Sequence, residues 1–194
     1  MHKWIKALTG GLVLSLAVSF FGFVGTCSDI RDSVLRVHIL ANSDSEEDQQ
    51  LKLQVRDAVV QAGADLLDGT EDQATARRLV EETLPTLCEA AQRCVWDHGY
   101  DYTVHAQLTD MYFTTRTYDS GTFPAGVYEA VRFTIGEGKG KNWWCVMYPP
   151  LCVSAATEID EAFTDTQSDI LQNGNRYRVR FKVVEWVERL LSMF

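Results

Sequence analysis

Hydrophobic and polar positions divide the chain into one long apolar run and a series of short periodic stretches. Residues 7–24 carry only Thr9, Ser15 and Ser19 as polar side chains, and no charge follows Lys6 until Asp29. A helix of that run is about 27 Å long at 1.5 Å per residue, slightly short of the ~30 Å hydrocarbon core of a bilayer. That length lies between a signal peptide and a membrane anchor. Val34-Leu35-Arg36-Val37-His38-Ile39-Leu40 then predicts a strand. Ser43 with Glu46 forms a capping box, opening a helix on which Leu51, Val55, Ala58, Val59, Ala62 and Leu66 share a face. Thr70 with Gln73 opens a second helix carrying Ala76, Leu79, Leu87, Ala90 and Cys94; Pro85 must kink or split it, and Gly99 ends it.

Residues 102–118 alternate as a strand does, with Val104, Ala106 and Leu108 inward and a switch to Met111 and Phe113. Such a switch predicts a bulge or a new strand near Thr109-Asp110. Residues 123–136 fit both period 2 and period 3.6; Pro124 near the start and Gly136 at the end favour a helix. Residues 143–148 read as an apolar strand. Residues 155–172 read as an amphipathic helix through Ile159, Phe163, Ile170 and Leu171, closed by Asn173-Gly174. Arg176, Arg178, Arg180 and Lys182 alternate with Tyr177, Val179, Phe181 and Val183, which predicts a strand with a basic face. A final helix follows, with Val184, Val187, Leu190 and Leu191 on one side. The fold class is therefore α+β: a small sheet packed with several amphipathic helices. Residues 1–28 are the expected signal peptide or anchor, and residues 29–194 a single extracytoplasmic domain.

Charge and cysteines fit that division. Lys3 and Lys6 keep the start of the run in the cytoplasm, so the remainder is expected outside. Whether the leader is cleaved stays open. Val24-Gly25-Thr26-Cys27 has the outline of a lipoprotein acylation site, with Thr26 ill suited to it. The formal charge of −9 becomes −11 once Lys3 and Lys6 are left out, which excludes a nucleic-acid binder relying on a basic face. Beyond Cys27 stand Cys88, Cys94, Cys145 and Cys152, which allow three pairings. The simplest joins Cys88 to Cys94 and Cys145 to Cys152, the second across the turn Tyr148-Pro149-Pro150.

Catalytic patterns are mostly missing. Gly136-Glu137-Gly138-Lys139-Gly140-Lys141 is not a phosphate loop, because Ile135 stands where the first glycine belongs and Asn142 follows Lys141. Asp119-Ser120-Gly121-Thr122 matches the short signature of an aspartic protease, but a dyad needs two such loops and the motif occurs once. Its simpler reading is a hairpin turn. His38, His98 and His105 lack metal-ligand spacing, so neither metal nor cofactor is expected.

Two stretches resemble a known family. Val34 to Leu40 with Ala41-Asn42-Ser43-Asp44-Ser45, continuing to Leu53-Gln54-Val55-Arg56-Asp57-Ala58-Val59, is similar to the N-terminal signature of the stage II sporulation protein R family. Phe123-Pro124-Ala125-Gly126-Val127-Tyr128-Glu129-Ala130 resembles part of its second signature. So does Gly136-Glu137-Gly138-Lys139-Gly140-Lys141-Asn142-Trp143-Trp144-Cys145, running on to Pro149-Pro150-Leu151-Cys152. The resemblance implies a sporulation signal of endospore-forming bacteria, not an enzyme. Such a signal is exported from the forespore into the space between two membranes. There it activates a membrane-embedded aspartic-type protease of the mother cell, which processes pro-sigma-E. The contact surface expected for that partner is Lys139, Lys141, Asn142, Trp143 and Trp144, since tryptophans beside cations are common interface anchors. Asn42 and Asp44 are further candidates, with the turn before a helix as their alternative role. Two other readings stand beside this one: an extracytoplasmic hydrolase using Asp119 or a thiol, and a membrane-surface structural protein whose 176–182 stripe meets anionic lipid.

Overall fold

A computed structural model describes residues 2–70, 72–151 and 159–191. In chain order the described elements are α1 (His2–Asp32), β1 (Leu35–Leu40), α2 (Glu46–Leu67), α3 (Gln73–Asp97), β2 (Val104–Phe113), β3 (Arg116–Thr117), β4 (Thr122–Phe123), β5 (Gly126–Ile135), β6 (Asn142–Tyr148), α4 (Ile159–Ala162), α5 (Asp165–Gln172) and α6 (Gly174–Leu191). The fold is α+β. Four strands form a mixed sheet in the order β2-β5-β1-β6, in which β1 and β5 are parallel and the other pairs antiparallel. Strands β3 and β4 make a small separate hairpin.

Both faces of the sheet are covered, so the molecule has two cores. On one face Leu35, Val37, Ile39, Val131, Phe133 and Ile135 meet α2 and α3 through Leu51, Val55, Val59, Val80, Leu87 and Val95. On the other, Tyr128, Ala130, Val146 and Phe113 meet α1, α5 and α6 through Phe23, Cys27, Ile30, Leu171, Phe181 and Val184. Arg36 is fully buried in this second core. Its guanidinium lies 4.3 Å from the Phe113 ring centre and 4.9 Å from that of Tyr128, and it donates to the Tyr118 hydroxyl. A buried cation needs such partners, because desolvation alone would be prohibitive.

The two cores explain where the local pattern misleads. Strand β2 pairs with β5 without a register break from Val104 to Phe113, so the expected bulge is absent. The parity switch arises because Leu108 packs on the first core and Met111 and Phe113 on the second. Residues 123–136 form β4 and β5 rather than a helix. In β5, Tyr128 and Ala130 fill one core while Val131, Phe133 and Ile135 fill the other; burial on both faces removes the alternation that marks a strand. Residues 176–183 belong to helix α6, not to a basic-faced strand. Phe181 and Val184 are buried with Tyr177 packed beside them, a spacing of four and three residues along one helix face.

Smaller differences concern helix ends. Ser45 rather than Ser43 caps α2, accepting from the Asp48 backbone N–H, and Asp72 rather than Thr70 caps α3, accepting from that of Thr75. Helix α3 runs through Pro85, which lies on its exposed side, while Val80, Leu87, Ala91 and Val95 hold both halves on the sheet. The expected helix over 155–172 appears as α4 and α5, the latter opened by a Thr164–Gln167 capping box; residues 155–158 lie outside the described residues. Helix α1 passes the expected boundary at residue 28 and buries Phe23, Cys27 and Ile30 in the second core. By length and composition α1 can cross a membrane, which fits a signal or an anchor.

Candidate functional site

The two signature segments, about a hundred positions apart, clasp each other at one end of the sheet. Gly140 N–H donates to the Ala41 carbonyl (2.9 Å) and Lys139 N–H to that of Asn42 (3.1 Å). The Asn42 side-chain oxygen accepts from Glu137 N–H (3.0 Å), and Asp44 Oδ1 from Lys141 N–H (2.7 Å). Gly136, at φ 56°, sits so tightly against Asn42 that a Cβ would collide with its amide oxygen. A Cβ on Gly140 would collide with the Ser43 backbone carbonyl, which no rotamer change relieves. The glycines of this loop therefore permit close backbone approach rather than slackness.

Beneath the clasp lies Asp48, buried at the start of α2. Asn42 Nδ2 (2.8 Å) and Ser43 Oγ (2.5 Å) donate to its carboxylate. Burial alone would raise the Asp48 carboxyl, but these hydrogen bonds outweigh it and hold it below its ordinary value. Lys52, also buried, donates to Gln49 Oε1 (2.6 Å) and to the Lys141 carbonyl (3.2 Å), and burial lowers its ammonium. Asn42 and Asp44 thus have their side-chain oxygens turned onto the loop backbone. Sequence reasoning offered them as partner contacts; the geometry gives them a positioning role.

The loop's side chains face outward. Lys139 pairs with Glu137 at 2.7 Å with both groups largely exposed, and Lys141 and Asn142 are exposed. Trp143 and Trp144 do not share a surface, because adjacent residues of β6 point to opposite faces. Trp143 packs against the first core with the Arg56 guanidinium 5.4 Å over its ring. Trp144 stacks on His38 at 4.2 Å, meets Phe113 edge-on at 4.7 Å, and lies 5.5 Å from the Arg116 guanidinium. The expected five-residue string is therefore split between two faces.

Asn142 and Trp144 share a face with residues that sequence reasoning did not place at the site. His38 pairs in register with Arg132 on β5 and with Trp144 on β6. Burial first, and the Arg132 guanidinium second, push the His38 imidazole down to about 4, and neither ring nitrogen has a hydrogen-bond partner among the described residues. The ring is neutral at any physiological pH. Arg116 beside Trp144 and Arg132 beside His38 give this face positive charge on a chain of net charge −9. No local signal marked Arg132, because the helical reading of its segment left its face undefined.

Of the candidate catalytic groups, the Cys94 thiol lies 3.8 Å from His98 Nδ1, whose nearer neighbour is the Cys94 carbonyl at 2.7 Å. Asp119 is exposed in the β3–β4 turn, closed by Tyr118 N–H donating to the Gly121 carbonyl (2.8 Å). A cleft of about 450 Å³ beside it is lined by Tyr118, Ser120, Ile159, Asp160, Leu171 and Asn175, and Asp160 is engaged by Gln172 at 2.9 Å. Cys88 and Cys94 are free thiols, contrary to the expected bridge. Six residues apart on α3, they are separated by about 9 Å along the axis, beyond the Cα separation a disulfide spans. Cys145 is disulfide-bonded, and Cys152, the partner expected for it, lies outside the described residues. Among the described residues no cluster of three or more His, Cys, Asp or Glu side chains is placed to hold a metal.

Comparison with known proteins places these features. The family model of stage II sporulation protein R matches residues 31–158. The stage II sporulation protein R of Bacillus subtilis (strain 168) is 39% identical over 123 residues, 63% of this chain and 55% of that protein. The chain thus spans about half the length of the curated relative it matches. No solved structure matches it. Both halves of the clasp and all of β6 lie within the matched segment, whereas most of α1 and all of α5 and α6 lie outside it.

Proposed function

The chain belongs to the stage II sporulation protein R family, and from that premise we propose that it is an exported signal rather than an enzyme. In this reading it activates a membrane-bound aspartic-type protease, leading to processing of pro-sigma-E in the mother cell. The role in sporulation follows from the family; the protease, its substrate and the route of export are our reading.

The observation that carries it is the clasp. Four hydrogen bonds and two close glycine contacts fix the backbone of the 136–141 loop, yet Lys139, Lys141 and Asn142 project outward from it. A preorganised cationic surface loses little conformational freedom on binding, which favours a protein contact. Beside it, Trp144, Arg116 and Arg132 supply aromatic area and further charge suited to an acidic partner face. Activation then requires tighter binding to the active arrangement of the protease than to its inactive one.

Co-expression of the chain with the candidate protease and a pro-sigma-E substrate in a host lacking all three tests this reading. Processing should depend on the chain. Processing of equal extent without it would overturn the proposal, as would peptidase activity of the purified chain that Asp119→Asn abolishes.

A further inference from the structure

Outside the family-matched segment, α6 packs alongside α1 in a way that fixes its height along that helix. Arg180 donates to Ser19 Oγ at 3.2 Å, Phe23 stacks on Tyr177 at 5.5 Å and meets Phe181 edge-on at 5.4 Å, and Arg31 pairs with Glu188 at 3.0 Å. Both partners advance together, from 19 to 31 and from 177 to 188, so the helices run parallel. The first turns of α6 therefore stand level with residues 19–23, the last apolar turn of the 7–24 run. Its later turns rise past residues 27–32, away from that run.

That level carries a cluster of positive charge, in which Lys182 pairs with Glu185 at 3.1 Å. Between Gly174 and Val184 there are four cations, Arg176, Arg178, Arg180 and Lys182, and no acid, on a chain that is otherwise strongly acidic. All four are exposed. Arg176 and Arg180 form one i,i+4 row and Arg178 and Lys182 another, flanking Val179, which is 77% exposed, and Val183. The nearby carboxylate of Asp169 is already engaged by the Tyr177 hydroxyl and by Asn173 Nδ2 at 2.9 Å.

We infer that the start of α6 is a basic collar that binds anionic lipid head groups on the outer face of the membrane crossed by α1. The guanidinium groups lie where α1 leaves the hydrocarbon, and lipid phosphates lie at the same depth. Arg180 joins the two elements directly, bonded to Ser19 and 5.6 Å from the ring centre of Phe23. The collar holds the domain upright on the surface and sets the height of the rest of the molecule above it. It rests on the reading that residues after α1 lie outside, not on activation of a protease.

The test uses the full chain reconstituted in phosphatidylcholine vesicles. Electron spin resonance then reads the association of spin-labelled phosphatidylglycerol relative to spin-labelled phosphatidylcholine. Wild type should prefer the anionic lipid about threefold or more, and the preference should weaken as salt rises, because exposed charges are screened within about 10 Å at 0.1 M. Arg176→Gln/Arg178→Gln/Arg180→Gln should bring the ratio down to the lower level set by the remaining Lys3, Lys6 and Lys182, while the matching triple Lys variant keeps it. Circular dichroism and the melting curve of each variant separate loss of lipid binding from loss of fold. An unchanged ratio in the folded Gln variant, or its loss in a folded Lys variant, overturns the collar. A C-terminal phosphatase fusion checks the premise separately: an active fusion places α6 outside, and an inactive one overturns the topology on which the collar rests.

Discussion

His38 sets a pH limit on the fold that can be worked from its surroundings. The imidazole is buried between β5 and β6, stacked on Trp144 at 4.2 Å and facing the Arg132 guanidinium. Neither ring nitrogen has a hydrogen-bond partner among the described residues, and the Arg116 guanidinium lies 5.5 Å from the ring centre of the same tryptophan. Its value falls from 6.5 in the unfolded chain to about 4 in the fold. The unfolded state therefore binds the proton more readily. The stability is complete above pH 6.5 and declines as the pH falls, levelling off below the folded value. Between about pH 7.5 and about pH 4.5 the loss from this one group is ~2.5 kcal/mol. Asp48, held below its ordinary value by Ser43 and Asn42, loses its contribution only at lower pH, below the usual carboxylate value of 3.8. The two windows are separable. Urea unfolding at several pH values, with His38→Phe to keep the stack on Trp144, reads the difference. The wild type should lose the worked amount across that range and the variant should stay nearly flat down to about pH 4.5. An equal slope in both proteins would refute the assignment.

Further expectations concern other parts of the chain. Gly140→Ala should cost about 1–3 kcal/mol by forcing Ser43 and the loop apart, measured as a fall in urea midpoint at constant slope. Phe181→Ala should destabilise the full chain by about 3–5 kcal/mol, since the ring fills the junction of α1, α5 and α6, and a change within 0.5 kcal/mol would contradict that packing. Non-reducing peptide mapping should recover Cys145 cross-linked to Cys152, with Cys88 and Cys94 alkylated as free thiols.

What the sequence made legible was mostly what a single face decides. Strand β1, helices α2 and α3, and strand β6 follow from local periodicity, because each buries one side or lies within a plain apolar run. Segment β5 was illegible for the opposite reason: covered on both faces, it loses its alternation, and Pro124 and Gly136 then mimic helix punctuation. Helix α6 imitates a strand because its exposed Val179 and Val183 alternate with cations. The side that matters, Tyr177, Phe181 and Val184, is defined by α1, a segment that reads from sequence as a separate leader. At the site the 136–144 string was legible as special, and the opposed faces of Trp143 and Trp144 follow from strand alternation. The clasp was not legible. Its bonds join side chains near residue 42 to backbone groups near residue 140, and nothing in either string alone encodes the match.

On the proposed function, the clasped loop is held rigid and presents its cations to a partner. Lys139→Ala/Lys141→Ala tests it most directly, because surface lysines usually contribute within about 0.5 kcal/mol to folding and the clasp uses only their backbone groups. In the co-expression assay the double variant should keep the wild-type melting temperature and lose most pro-sigma-E processing. Processing at the wild-type level by a variant of unchanged melting temperature would contradict the claim.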